Sequence, residues 1–219
     1  MPRTARIVVT DVPYHITQRG NRRQDVFFCD EDRRAYLSWL EHYSQRYDLD
    51  ILSYCLMTNH VHLVSIPRRL DSIANTLRIV DIRHCQMINS RLGWSGHLWQ
   101  GRYFSTALDE PHLWAAVRYV ERNPVRAGMV KRAEDYPWSS AASHLGKRPD
   151  KLIRSNTEWG GIVEDWQEAL AEPEDDETMQ MIRTRTHCGF PCGDEHFVSK
   201  LSEAVGRSLV LRPRGRPRR

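Results

Sequence analysis

Two histidines one residue apart, His60 and His62, are the side chains in this sequence that most clearly offer chemistry. They lie in an apolar segment that ends at Pro67, and its alternating pattern is typical of short β-strands. Side chains two residues apart project from one face of a strand, with α-carbons about 6 to 7 Å apart, so both imidazoles can bind one metal ion. The same pattern also fits histidines that only occupy the open face of a half-buried strand.

Tyr119 and Asn123 form a second candidate group. Asp109 as an N-cap and Pro111 in a first turn predict a helix that ends at Pro124, with apolar residues at helical spacing between them. Residues four apart share one helical face, and Asn123 is predicted in the final turn because the residue before a proline avoids helical angles. Its amide oxygen is then a third candidate ligand for the same ion.

Together these residues predict a metal-assisted tyrosine nuclease. Two imidazoles and one oxygen leave open coordination positions, where a metal can hold a substrate phosphate. A tyrosine hydroxyl ionises near pH 10, so it needs a nearby cation to act as a nucleophile. Attack on DNA would leave a covalent phosphotyrosine, from which strands can be rejoined without ATP. Imidazole ligands favour manganese or another transition metal over magnesium, and the alternative for Tyr119 is an ordinary core tyrosine.

The elements that must position these residues follow an α+β order. Strands are predicted at 14–18, 50–57, 60–66 and 103–108, and amphipathic helices at 30–48 and from 71 or 72 to 93. The order strand, helix, strand, strand, helix, strand fits a ferredoxin-like topology.

Five ordered blocks carry a resemblance to a known family. They are YHITQRGNR at 14–22, YCLMTNHVHLV at 54–64, GHLWQGRY at 96–103, RYVERNPVRAG at 118–128 and YPWSS at 136–140. With these blocks the sequence resembles the REP-associated tyrosine transposases, a branch of the single-tyrosine HUH endonucleases within the IS200-like transposase superfamily.

The resemblance implies a ferredoxin-like or RRM-like antiparallel sheet with helices on one face, plus a C-terminal extension. It implies that His60, His62 and Asn123 bind a divalent metal ion, Mg²⁺ or Mn²⁺, and that Tyr119 attacks single-stranded DNA. The implied product is a 5′-phosphotyrosine with a released 3′-hydroxyl, formed at hairpins of repetitive extragenic palindromes (REP) during DNA transposition.

Several arginines are candidate DNA contacts. Arg19 and Arg102 lie in the matched blocks and Arg126 follows the tyrosine helix, so each could hold a phosphate with its forked donors or pair with a nearby acid. The chain has a net charge of +4, yet six arginines and no acid occupy its last fifteen residues, which leaves the remainder at −2. Arg214 and Arg216 belong to this basic end, which resembles an AT-hook; the alternative is a solvated, disordered tail.

The predicted domain organisation is a catalytic domain at 1–145, an extension at 146–204 and a basic tail at 205–219. Five acidic residues within 172–177 indicate a linker inside the extension. Cys188 and Cys192 lie beyond it beside two histidines, a group that could bind zinc, but their spacing does not match common zinc fingers. Reduced structural thiols are the preferred interpretation, because an odd total of five scattered cysteines does not suggest a disulfide framework.

Composition argues against a membrane-spanning or secreted protein. No apolar run approaches the roughly 18 residues that a membrane span requires, and the first ten residues lack a signal-peptide layout, so we expect a cytoplasmic, nucleoid-associated protein. Single-stranded or hairpin DNA is the expected partner, and the sequence leaves monomer and homodimer open. Three other functions stay open: a non-catalytic hairpin-binding relative, a metallonuclease that uses water, and a metal-independent fold with structural histidines.

Overall fold

The computed structural model describes residues 6–153, 166–172 and 175–211. At its centre is a four-stranded antiparallel sheet in the order β2-β3-β1-β4. The strands are β1 (Tyr14–Arg19), β2 (Leu49–Met57), β3 (His60–Pro67) and β4 (Phe104–Ala107). Each lies within a residue or two of its predicted position. The predicted ferredoxin-like topology is confirmed, with β3 between β1 and β2.

The helices include the two long ones that the sequence predicts, and others form the C-terminal extension. They are α1 (Asp30–Arg46), α2 (Ser72–Leu92), α3 (Glu110–Glu121), α4 (Asn123–Arg126), α5 (Ala141–His144), α6 (Trp166–Ala171), α7 (Asp176–Cys188) and α8 (Glu195–Ala204). None of the helices that the described residues form is both long enough and apolar enough to span a bilayer.

The sheet is covered on both faces. On one face, α1 and α2 bury Leu40 and Leu77 against strand residues such as Val61 and Leu63. On the other, α3 and α7 pack in a second apolar cluster, with Val64 of β3 among its members. The predicted antiparallel sheet with helices is confirmed, and α3 with α7 of the extension adds cover on a second face beyond the one face predicted. Consecutive apolar residues in β3 reflect this two-sided burial, since a strand with one solvated face alternates with polar residues.

The C-terminal extension docks onto the sheet and onto α3. After α7, the backbone N–H of Cys192 donates to the carbonyl of Ala107 at 2.8 Å, and the N–H of Asp109 donates to the carbonyl of Cys192 at 3.0 Å. These bonds attach the extension at the end of β4. Upstream, Trp166 and Leu170 are buried in the same cluster as α3.

The acidic segment that the sequence predicts as a linker ends inside helix α7. Asp175 caps α7 through a hydrogen bond from the N–H of Thr178, and Asp176 and Glu177 form the first turn. Carboxylates are favourable there because a helix N-terminus carries partial positive charge. Residues 173–174 lie outside the described residues, and the domain boundary near them stays a prediction.

Candidate active site

The two histidines lie side by side on β3. His60 pairs with Arg19 across the sheet and His62 pairs with Thr17, and both imidazoles face α3 rather than α1 and α2. Their ring centroids are 4.9 Å apart, with the rings nearly perpendicular. His62 is buried and His60 is half-buried. The strand spacing therefore brings two imidazoles together at one point of the sheet.

The Nδ1 atom of each histidine is already hydrogen bonded. Nδ1 of His60 is 2.6 Å from Oδ1 of Asn59, and the amide of Asn59 is oriented by its Nδ2 donating to the carbonyl of Arg23 at 3.0 Å. Because Oδ1 can only accept, His60 donates from Nδ1. Nδ1 of His62 is 2.9 Å from Nε2 of His15 on β1, and these two rings are stacked at 5.2 Å. Nε2 of His60 and of His62 is thus the ring nitrogen left for another ligand.

Both imidazoles are held neutral at physiological pH. Burial, together with the charges of Arg19 and Arg126, lowers the pKa of His60 to about 4. Burial likewise holds the pKa of His62 well below its ordinary value, with added contributions from His60 and His15. A neutral imidazole is the form that binds a metal ion.

Tyr119 lies on α3 directly over the histidines. Its ring meets that of His62 edge-on at a centroid distance of 5.5 Å and that of His15 at 5.7 Å. Nε of Arg183, on α7, donates to the tyrosine hydroxyl at 3.3 Å, and the guanidinium of Arg126 lies 4.3 Å from the ring centroid. The phenol is thus enclosed by imidazoles on one side and by two cations on others.

Asn123 lies at the start of α4 and not in the final turn of the tyrosine helix. α3 ends at Glu121, and Asn123 opens a second short helix with Pro124 in its first turn. The prediction placed the helix end wrongly because proline, which ends one helix, also suits the first turn of the next. Oδ1 of Asn123 accepts from Arg126 at 2.6 Å, while its buried Nδ2 has no hydrogen-bond partner among the described residues.

This donor set fits a divalent ion. Two neutral imidazoles can each present Nε2, and the amide oxygen of Asn123 keeps a second lone pair beside its bond from Arg126. The buried amide nitrogen of Asn123, which has no partner among the described residues, is a donor that does not bind a cation, and its partner would be an oxygen of water or DNA. In the described ranges, no three His, Cys, Asp or Glu side chains are grouped as a metal site, so the further ligands would be oxygens from Asn123, water or DNA.

Two of the other predicted DNA contacts, Arg19 and Arg126, lie near this centre. Arg19 is close enough to His60 to lower its pKa, as is Arg126. Arg102 is exposed in the loop before β4, where it lines a cavity with Trp99 and Tyr103. Arg214 and Arg216 lie outside the described residues.

Comparison with known proteins places the chain in a family. The family model described as "Transposase IS200 like" matches residues 8–123, which is just over half of the chain and includes β1 to α3 with both histidines and Tyr119. The chain belongs to the IS200-like transposase family. The resemblance predicted from the five sequence blocks is thereby confirmed, as is the prediction that the protein is an enzyme.

Two individual proteins are similar to this transposase. A Haemophilus influenzae protein named as a REP-associated tyrosine transposase is 28% identical over 148 residues, which cover 61% of this chain and 77% of that protein. A solved structure of a REP-associated tyrosine transposase bound to a REP hairpin superposes with a TM-score of 0.56 at 18% identity, covering 71% of this chain and 93% of the other. The second likeness supports the fold.

Three residues that contact the site had not been assigned a role from the sequence: His15, Arg183 and Thr186. His15 falls in the first matched block, and its position two residues before Thr17 puts it on the same face of β1 as the partner of His62. A third histidine on this face was therefore detectable once β1 was paired with β3. Arg183 and Thr186 lie in the extension, beyond the family match, and no sequence signal pointed to them.

A buried carboxylate fixes the helix that bears Tyr119. Glu121 is fully buried and accepts hydrogen bonds from Ser140 at 2.5 Å, Nδ1 of His144 at 2.6 Å and Nε1 of Trp166 at 2.9 Å. Burial alone would lower the pKa of His144, but the bond to Glu121 outweighs it and raises that pKa. Glu121 thus ties α3 to residues of α5 and α6.

Removing this carboxylate should destabilise the whole domain. We expect Glu121→Ala to lower the free energy of unfolding by about 3 to 5 kcal/mol, because the buried donors of Ser140, His144 and Trp166 lose their acceptor together. Urea denaturation followed by tryptophan fluorescence measures the change. Glu203→Ala, at an exposed position of α8, is the control and should change stability by less than about 0.5 kcal/mol. Equal stability of the two variants would mean that Glu121 does not anchor α3.

Proposed function

We propose that this transposase is a metal-dependent single-stranded DNA endonuclease and strand transferase that works through a covalent 5′-phosphotyrosine at Tyr119. The observation that carries the proposal is the position of the Tyr119 ring, 5.5 Å from that of His62 and with its hydroxyl bound by Arg183. A tyrosine with only a packing role does not require two histidines and two arginines around its ring, whereas a nucleophile needs cations near its oxygen.

The proposed substrate is hairpin DNA of the REP type with single-stranded flanks. This assignment is supported by the similarity to the REP-associated tyrosine transposase whose structure holds a REP hairpin, and to the H. influenzae relative. Arg19, Arg126 and Arg183 surround the phenol and histidines with positive charge that suits a phosphodiester. The arginine-rich end at 205–219 would add sequence-independent affinity for the DNA backbone.

The reaction exchanges one phosphate ester for another. The hydroxyl oxygen of Tyr119 forms a bond to phosphorus while the bond from phosphorus to the 3′-oxygen of the upstream nucleotide breaks. The phenol loses a proton and the departing 3′-oxygen gains one, so a free 3′-hydroxyl and a 5′-phosphotyrosine result. Another 3′-hydroxyl can reverse the step and join strands. Arg183 would stabilise the developing phenolate. Arg126, which donates to Asn123, would also donate to the phosphate.

A divalent ion bound by His60, His62 and Asn123 would polarise the scissile phosphate and neutralise charge that develops on its oxygens. The protein's own contribution is to hold both imidazoles neutral and oriented, through Asn59 for His60 and through His15 for His62. The nitrogen ligands favour Mn²⁺, and Mg²⁺ is the alternative.

The proposal is tested with an end-labelled REP-type hairpin oligonucleotide, Mn²⁺ and a denaturing gel. We expect cleavage at the foot of the hairpin, a protein–DNA adduct that survives denaturation, and loss of both on addition of EDTA. Hairpin binding with no cleavage would instead identify a non-catalytic binding protein. Cleavage without an adduct would indicate a water nucleophile, and cleavage that EDTA does not affect would make the histidines structural.

A further inference from the structure

Helix α7 of the extension reaches the histidine cluster through Thr186. This side chain is 1% exposed. Its Oγ1 lies 2.8 Å from Nδ1 of His15 and 2.7 Å from the carbonyl oxygen of Ile182. His15 in turn contacts His62 at 2.9 Å. A continuous hydrogen-bonded chain therefore runs from a backbone carbonyl of α7 to a candidate metal ligand on β3, although α7 lies beyond the residues that the family match covers.

The position of every proton in this chain follows from its first member. A carbonyl oxygen only accepts, so the short contact to Ile182 uses the single hydroxyl proton of Thr186. Oγ1 of Thr186 must then accept from His15, which places a proton on Nδ1 of that ring. In a neutral imidazole the other nitrogen carries no proton, so Nε2 of His15 accepts from Nδ1 of His62.

Nε2 of His62 therefore carries no proton and keeps a lone pair. We propose that Thr186 and His15 are positioning residues that hold His62 in the one tautomer able to bind a metal through Nε2, so that the extension completes the metal site. The inference rests on the proposed function for the identity of the ligand, but the tautomer itself is a property of the metal-free protein. Outer partners of this kind fix the orientation and tautomer of metal-binding histidines.

Two further observations agree with this assignment. His15 is buried away from water, which favours the neutral ring that the chain requires. His60 has its own partner for the same task, since Asn59 accepts from its Nδ1. The tautomer of each histidine is thus fixed by different partners. The neighbouring residue Asn59 fixes that of His60, and residues of β1 and α7 fix that of His62.

The test compares Thr186→Val with Thr186→Ser. Valine keeps the shape but removes the acceptor, so the Nδ1 proton of His15 loses its hydrogen bond. The tautomer of His15 that donates from Nε2 to His62 is then favoured, because its proton has a partner. A proton then occupies Nε2 of His62. We expect Mn²⁺ affinity, measured by calorimetry with the metal alone, to fall about 10- to 100-fold in Thr186→Val. Thr186→Ser keeps the hydroxyl and should stay within about threefold of the wild type, well short of that loss.

A spectroscopic readout separates the tautomer from a general loss of structure. Long-range ¹H–¹⁵N spectra of the metal-free protein should show an unprotonated Nε2 of His62 in the wild type and Thr186→Ser, and a protonated or mixed Nε2 in Thr186→Val. Should valine prevent folding, His15→Gln provides the second comparison. Its amide oxygen can accept from His62 and should preserve the tautomer, whereas His15→Leu should not.

The proposal is overturned if Nε2 of His62 is protonated in the wild type, or if folded Thr186→Val keeps both the wild-type tautomer and the wild-type Mn²⁺ affinity. Failure of the proposed function has a different signature. In that case the wild type has the expected tautomer but neither binds Mn²⁺ nor forms a DNA adduct.

Discussion

Replacing Tyr119 by phenylalanine is expected to abolish the covalent protein–DNA adduct and to lower the rate of hairpin cleavage by at least about a thousandfold. The substitution removes only the oxygen that attacks phosphorus. It keeps the ring that packs edge-on against His62 and His15, so the site should stay assembled. Single-turnover cleavage of a labelled hairpin with Mn²⁺, resolved on a denaturing gel, measures both the rate and the adduct.

The matched control is Tyr47→Phe, at the end of α1, where the ring stacks on Tyr43 in the apolar cluster on the other face of the sheet. This variant should cleave at the wild-type rate. The phenol of Tyr119 contributes one hydrogen bond from Arg183, so its loss should cost no more than about 1 to 3 kcal/mol of stability. A Tyr119→Phe protein that still cleaves at a normal rate would identify water as the nucleophile.

Removing either histidine is the second large effect. We expect His60→Ala and His62→Ala each to weaken Mn²⁺ binding by at least about a hundredfold, because loss of a ligand should exceed the roughly 10- to 100-fold cost of losing an outer partner. Cleavage should fall in parallel and recover partly at high Mn²⁺. Electron paramagnetic resonance of free Mn²⁺ measures the affinity without depending on DNA cleavage.

His42→Ala is the control for these variants, because His42 is exposed on α1, where its ring contacts that of Tyr43. Its Mn²⁺ affinity and cleavage rate should match the wild type. Folded His60→Ala and His62→Ala proteins that bind Mn²⁺ normally would mean that the pair has a structural role and that the metal, if needed, binds elsewhere.

Local patterns in the sequence were sufficient for the central fold and for the elements that carry His60, His62 and Tyr119. Alternating apolar residues around His60 and His62, and the cap and proline around the Tyr119 helix, depend on neighbours within one turn or one strand. They placed the strands within a residue or two and predicted the βαββαβ order that the sheet has.

The features that were missed depend on contacts between distant segments. That α3 and α7 cover the second face of the sheet is decided by packing, and so is the burial of His62 that follows from it. Asn123 was placed in the wrong helix because one proline can end a helix or begin another. The hydrogen bond from His15 to Thr186 joins residues 171 positions apart, and no local pattern specifies such a pair.

The most direct measurement is mass spectrometry of the protein after reaction with a hairpin oligonucleotide and Mn²⁺, followed by nuclease and protease digestion. We expect one peptide to carry a nucleotide, linked through its 5′-phosphate to Tyr119. A modified peptide that lacks Tyr119, or complete cleavage of the hairpin with every peptide unmodified, would contradict the tyrosine mechanism.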